Sequence, residues 1–277
     1  VLEQDRAGSS ESSESSEVRV NFVGEPVLEV RELHKSYASF RAVEKLSFSV
    51  AAGEVLGLVG PNGAGKTSTL RCLAGVIPPT SGAVRVDGCD VVKQPVRAKG
   101  ALAFLPDEPK LFEYLTVWDH LNLVARLYAV DNWETRGEAL LKELELDDKR
   151  EALPGELSRG MKQKLTIACG FLHQPKLILL DEPLTGLDPL GIRKMKASLK
   201  ERAEQGAAIV LSSHLLPLVE ELCHRILVIA NGRMRALGTL EDIRTQLQLQ
   251  APADANGGSG ERSLEEVFIQ ITSGGRA

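Results

Sequence analysis

The stretch EVLGLVGPNGAGKT, residues 54–67, limits the fold more than any other part of the chain. A short apolar run, long enough for a buried strand, passes into a turn containing Gly60, Gly63 and Gly65 and ends in Lys66-Thr67. TSTLRCLAGV then continues at helical spacing. Strand, glycine-rich turn and helix in that order satisfy G-x-x-x-x-G-K-S/T in the context the pattern requires. The loop Gly60, Pro61, Asn62, Gly63, Ala64 and Gly65 can curl until its backbone N–H groups converge on phosphate oxygens. Lys66 supplies a point charge for the outer phosphates, the Thr67 hydroxyl is suited to Mg2+, and Ser68 follows in the first helical turn, whose positive end faces the same point.

LILLDEP, residues 177–183, is a second apolar run, closed by two carboxylates. Asp181 at the strand end is placed to hold a Mg2+ shell, and Glu182 to orient or deprotonate an attacking water. The runs KLILLD (176–181), AAIVLSS (207–213) and HRILVIANG (224–232) are apolar without alternation, which predicts strands covered on both faces. Helical patterns between strands predict a largely parallel α/β sheet. VLEVREL, LSFSV, AVRVDG and ALAFL are expected to add shorter strands. Residues 106–172 change character, with helical stretches and few β-branched runs, and predict a helical insertion. Residues 1–25, which include GSSESSESSE, have too little apolar surface to fold and predict a disordered tail. The main domain is expected over 26–240. A C-terminal extension, 241–277, would then hold a linker, APADANGGSGER, and a short amphipathic helix, SLEEVFIQIT.

LSRGMKQKL, residues 157–165, starts a helix with Ser158 as its N-cap, yet sets Gly160 in the first turn, where Gly costs about 1 kcal/mol relative to Ala. A bare backbone at the positive end of a helix, between Arg159 and Lys162, suits an anion. The phosphate loop, LSRGM, LILLDEP, TGLD (185–188) and SSH (212–214) come in the order and spacing of the ATP-binding cassette family, which the chain resembles over about residues 27–240. The resemblance implies a P-loop nucleoside-triphosphatase fold: a RecA-like core with a parallel sheet, an antiparallel β subdomain and an inserted helical subdomain. It also implies ATP and Mg2+ as ligands. In that family the signature reads Leu-Ser-Gly-Gly-Gln and faces the γ-phosphate of ATP held by a second cassette. Ser158, Arg159, Gly160 and Met161 would therefore complete a site in a homodimer.

The same resemblance gives His214 as the switch histidine at the γ-phosphate, Asp188 as part of the loop bridging two cassettes, Tyr37 as the aromatic stacked on adenine, and Val43 as a ribose contact. It also exposes departures. FLPDEPKLF has Asp107 where the family carries a Gln that reaches Mg2+ and the water, so a working but altered switch is expected. Arg159 and Met161 replace Gly and Gln; Arg159 either adds charge near the phosphates or is solvated. Since Glu182, His214, Ser158 and Gly160 are all present, both sites of a dimer should hydrolyse ATP.

The implied partners are transmembrane permease subunits, docked at the helical insertion, and a second copy of the chain. The implied location is the cytoplasmic face of the membrane, held peripherally, because no apolar run nears the roughly 20 residues that span a bilayer. LSRGMKQKL, Asp107 and the terminal LEEVF favour the exporter branch. The alternative is a soluble cassette ATPase acting on a macromolecular complex, but those carry long coiled coils or two cassettes in one chain. A GTPase switch lacks its Asn-Lys-x-Asp motif here. A net charge of −5 argues against broad nucleic-acid binding. The cysteines (Cys72, Cys89, Cys169, Cys223) are far apart, which predicts reduced thiols with no zinc site.

Overall fold

The computed structural model describes residues 25–184 and 187–250, the last five of these as backbone only. The tail before Glu25 and the predicted linker and helix after 250 lie outside the described residues. Along the chain the elements are β1 (Leu28–Tyr37), β2 (Phe40–Val50), β3 (Val55–Val59), α1 (Lys66–Leu73), β4 (Ser81–Val86), β5 (Cys89–Asp90), α2 (Pro95–Gly100), β6 (Leu102–Leu105) and α3 (Val117–Leu127). There follow α4 (Trp133–Glu143), α5 (Arg159–Phe171), β7 (Leu177–Asp181), α6 (Pro189–Glu204), β8 (Ala208–Ser212), α7 (Leu216–Leu222), β9 (Arg225–Ala230), β10 (Arg233–Gly238) and α8 (Leu240–Gln250).

Six strands form the central sheet in the order β10-β9-β3-β8-β7-β6. Every pairing from β9 to β6 is parallel, and β10 closes the edge antiparallel. Alternation within each strand divides the core in two. Val55, Val59, Ile178, Leu180, Ile209 and Leu211 face one cluster, shared with α3 to α8. Leu56, Leu58, Leu177, Leu179 and Val210 face the other, shared with α1 and a four-stranded antiparallel sheet, β2-β1-β4-β5. This accounts for the unbroken apolar runs: each such side chain is covered on its own face, a gain of about 1.5–3 kcal/mol apiece. The strand expected at VLEVREL continues to Tyr37 and turns through Ala38, at φ 49°, into β2.

Between β6 and β7 the chain is helical. Thr116 and Asp119 form a reciprocal capping box that starts α3. His120, buried, accepts from the Phe112 N–H (3.0 Å) and donates to the Thr116 carbonyl (2.7 Å), which pins the loop that follows Asp107. Trp118 of α3 and Trp133 of α4 meet with ring centroids 4.6 Å apart, and the Arg150 guanidinium lies 3.5 Å from the Trp118 ring.

His173, just past α5, stacks on Tyr128 at 3.8 Å. One ring nitrogen meets the Leu102 carbonyl at 3.2 Å, while the buried Nδ1 has no hydrogen-bond partner among the described residues. Burial outweighs the carbonyl and holds the imidazole below its ordinary value of 6.5. The folded state thus binds this proton less readily than the unfolded chain. Its contribution to stability is full above about pH 6.5 and is lost as pH falls through the depressed folded value. His173→Phe keeps the stack and cannot titrate, so its melting temperature should drop less than that of the wild type between pH of about 7.5 and about 5.5. Equal drops would locate the acid sensitivity elsewhere.

Candidate nucleotide site

The sequence brings its phosphate loop to the carboxyl end of β3, between β8 and β9, where parallel α/β sheets place their ligands. Gly65 sits at φ 104°, and a Cβ there would come within 2.3 Å of the Ala42 carbonyl oxygen. Only glycine satisfies both conditions, so β2 fixes the loop from below. A Cβ on Gly63, by contrast, would meet nothing within 4 Å. Lys66 folds back over the loop and donates to the carbonyls of Gly60 (2.7 Å) and Pro61 (3.3 Å). Burial lowers its pKa, and the charges of Glu182 and Asp181 oppose that shift. Lys66 is buried, so the ammonium has lost much of its water and already faces acidic groups.

Both acidic groups come from the end of β7, beside the end of β8, where Asp181 pairs with Ser212. The Ser212 hydroxyl donates to Asp181 Oδ1 at 2.7 Å, and Thr67 Oγ1 donates to the same oxygen at 3.3 Å. Glu182 adopts φ 49°, the left-handed region, which costs a non-glycine residue on the order of 1–3 kcal/mol. Its N–H offsets this by donating to both the carbonyl (3.3 Å) and the hydroxyl (3.1 Å) of Ser212. The turn swings the carboxylate toward His214, whose Nδ1 lies 2.8 Å from Glu182 Oε2. A carboxylate only accepts, so Nδ1 carries the proton and Nε2 is left unengaged. Lys66, Thr67, Asp181, Glu182 and His214 thus come together as one cluster.

Tyr37 is partly exposed, with its hydroxyl 3.5 Å from Ser68 Oγ and Lys35 Nζ 5.0 Å from its ring centroid. Val43 requires a correction: it is 0 % exposed and packs in the core beneath the phosphate loop, so it presents no surface to a ribose. Ser158 caps α5 by accepting from the Met161 N–H at 3.2 Å. Ser158 and Arg159 are exposed, and Gly160 and Met161 are half-buried. No hydrogen bond or ion pair joins Ser158, Gly160, Asp107 or Asp188 to the Lys66–Glu182 cluster among the described residues. Asp107 is exposed. Asp188 caps α6, accepting from the Gly191 N–H at 2.8 Å. The neighbouring Glu108 is held below the usual carboxylate range, first by its hydrogen bond to Lys110 and further by the charge of Arg159. The charge of Arg159 is thus felt at the Asp107 loop.

The family profile described as "ABC transporter" matches residues 43–185. "ABC-type transporter ATP-binding protein EcsA" of Bacillus subtilis (strain 168) is 32 % identical over 248 residues, 89 % of this chain and 96 % of that protein. The chain belongs to the ABC transporter family. It is an ATP-binding subunit of such a transporter, in a family that hydrolyses ATP. This ABC subunit is also similar to "SkfA peptide export ATP-binding protein SkfE" of B. subtilis (strain 168), 37 % identical over 75 % of the chain and 87 % of that protein. "Nod factor export ATP-binding protein I" of Paraburkholderia xenovorans (strain LB400) is likewise 37 % identical, over 77 % of the chain and 71 % of that protein. A solved "ATP binding subunit of ABC transporter" superposes with a TM-score of 0.82 at 36 % identity, over 88 % of the chain and 99 % of that structure.

Two residues of the ABC subunit's site carry no signal in the sequence. Ser212 holds both Asp181 and Glu182, yet of SSH only the histidine has a chemical signature. Ala42 acts through its carbonyl alone, which any residue would supply. Among the described residues no helix is long and apolar enough to cross a membrane. Burial pushes the thiols of Cys169 and Cys223 up to about 12 and that of Cys72 to about 11, so these three stay protonated and unreactive near neutral pH.

Proposed function

We propose that this ABC subunit powers export, two copies closing over two ATP and reopening on hydrolysis. The observation that carries the reading is the Glu182–His214 contact together with a buried Lys66 whose charge faces Glu182 and Asp181. Lys66 and the loop N–H groups bind the phosphates. Glu182, held by Ser212, takes the proton of the attacking water, and His214 fixes the carboxylate and turns Nε2 to the γ-phosphate. Thr67 and Asp181, oxygen donors within 3.3 Å of each other, suit a hard divalent ion, and Mg2+ would take them together with phosphate oxygens. When bound, Mg2+ neutralises charge on the phosphates. Asp107 joins from its exposed loop and, being shorter and charged, tunes the switch differently from a Gln.

Ser158 and Gly160 are accessible and unconnected to their own phosphate loop, which supports a role at a partner copy's nucleotide. Residues 106–172 act as the helical subdomain, with Asp107 at its root. Phe112 and Tyr114, 62 % and 90 % exposed on the loop pinned by His120, offer apolar contacts for separate permease subunits at the cytoplasmic face. Export follows the two relatives named for it.

The test is the solution mass of purified Glu182→Gln with Mg-ATP and with Mg-ADP. A monomer in ADP that becomes a dimer in ATP is expected. A protein that binds ATP and stays monomeric, with permease subunits as well as alone, would remove the shared-site reading.

A further inference from the structure

The hairpin at the edge of the central sheet is tied to the phosphate loop at one glycine. β9 and β10 pair at Ala230 and Arg233, which leaves Asn231 and Gly232 as a two-residue turn with φ 53° and 74°. Positive φ at both central residues marks a type I′ turn, which the Asn-Gly dipeptide favours. The Gly232 N–H donates to the Ala64 carbonyl at 3.0 Å, and the Gly232 carbonyl accepts from the Glu44 N–H at 2.7 Å. One residue thereby joins the loop, β2 and the hairpin. Beside it, Arg233 donates to the Glu44 carboxylate at 2.8 Å.

A second turn of the same kind shows what is particular to this one. β4 and β5 pair at Val86 and Cys89 around Asp87 and Gly88, with φ 48° and 73°. A Cβ on Gly88 would meet nothing within 4 Å. A Cβ on Gly232 would lie 2.8 Å from the Ala42 carbonyl oxygen, the same atom that Gly65 approaches from the phosphate loop. At position 88 the backbone conformation alone favours glycine. At position 232 the contact with the loop's support requires it as well.

We propose that Gly232 is a positioning residue for nucleotide binding: its N–H, held on the Ala64 carbonyl, sets the direction of the Gly65 N–H in the phosphate loop. This rests on the reading that the loop from Gly60 to Gly65 binds the phosphates. In a trans peptide the carbonyl and the following N–H point opposite ways. With the Ala64 oxygen fixed on Gly232, the Gly65 N–H faces away from the hairpin. A side chain at 232 forces either the Ala42 carbonyl or the turn to shift, and the loop rests on both. These contacts do not involve Glu182 or His214, so the effect falls on affinity more than on the chemical step.

The experiment compares full-length wild type with Gly232→Asn, Gly88→Asn and Lys66→Ala. Asparagine tolerates positive φ, so at each turn it adds a Cβ with little backbone strain. The dissociation constant for Mg-ADP is read by equilibrium titration, with KM and kcat for ATP measured alongside, in the presence of permease subunits if turnover requires them. Gly232→Asn should weaken Mg-ADP binding about tenfold and raise KM by a similar factor, with kcat lowered by less. Gly88→Asn should bind Mg-ADP within about twofold of wild type. Wild-type affinity in Gly232→Asn would overturn the proposal. So would equal weakening in both asparagine variants, because a disturbed turn would then suffice. Should Gly232→Asn fail to fold, amide hydrogen exchange in the wild type decides. On adding Mg-ADP the Gly232 N–H should slow by a larger factor than the Asp87 N–H, which donates to the Val27 carbonyl at 2.8 Å in the matching turn. Equal factors would overturn the proposal. If Lys66→Ala also binds Mg-ADP as the wild type does, the phosphate-loop reading falls, and this proposal with it.

Discussion

Glu182→Gln should lower kcat for ATP by about 10²–10⁴-fold, the range associated with losing a positioned general base. ATP affinity should stay within a few-fold of wild type, because in the proposed site the loop around Gly65 and Lys66 grip the phosphates, not this side chain. The glutamine amide occupies the same volume and can still accept from His214 Nδ1, which lies 2.8 Å from Oε2 in the wild type, so the turn should survive. What it cannot do is take a proton from water. The effect should therefore fall on kcat and leave KM nearly fixed. A matching rise in KM would mean that Glu182 serves mainly to hold the nucleotide. Retention of more than about a tenth of wild-type kcat would mean that another group takes the proton.

Lys66→Ala should act on binding as well as rate. The ammonium has left much of its water, donates to the Gly60 and Pro61 carbonyls, and faces Asp181 and Glu182. Incoming phosphates replace those weak internal partners with strong ones. Each charge-assisted hydrogen bond contributes about 1.5–3 kcal/mol, so alanine should weaken ATP binding by at least about tenfold. It also leaves the two carboxylates uncompensated as the polyanion approaches, and a further loss of about 10²–10³-fold in kcat is expected. Lys66→Arg should not rescue, since a planar fork does not fit a slot between two carbonyls that suits a compact charge. Equilibrium titration with a fluorescent ATP analogue, alongside turnover, checks both parts. Binding within about threefold of wild type would remove Lys66 from the phosphate site.

Both residues are legible in the amino-acid sequence because the elements that carry them advertise themselves. β3, β7 and β8 are buried on both faces, which forces unbroken apolar runs, and α5 announces its start through Ser158. α6 is different: PLGIRKMKASLKERAE buries Met195, Leu199 and Ala203 along with Gly191 and Ser198, a face too sparse in apolar residues to reveal its period. Its start signal, Asp188 followed by Pro189, is masked by the resemblance of the same stretch to a dimer loop. β10 exposes Arg233, Met234 and Arg235 at the sheet edge and so lacks the pattern of the interior strands. Val43 misleads for a local reason. Ala42 and Val43 are both buried, beside register shifts opposite Lys35, so simple alternation along β2 fails at that point. Ser212 is silent in the sequence, because its role depends on β8 lying beside β7.

The chain has two tryptophans, and both belong to the Trp118–Trp133 pair between α3 and α4. Intrinsic emission excited near 295 nm thus arises entirely from the helical insertion, with none from the sheet or the phosphate loop. The Arg150 cation against Trp118 makes that emission sensitive to small displacements of the turn carrying it. The molecule therefore contains its own optical reporter. Stopped-flow mixing of unlabelled protein with nucleotide can time the response of the insertion separately from chemistry at Glu182.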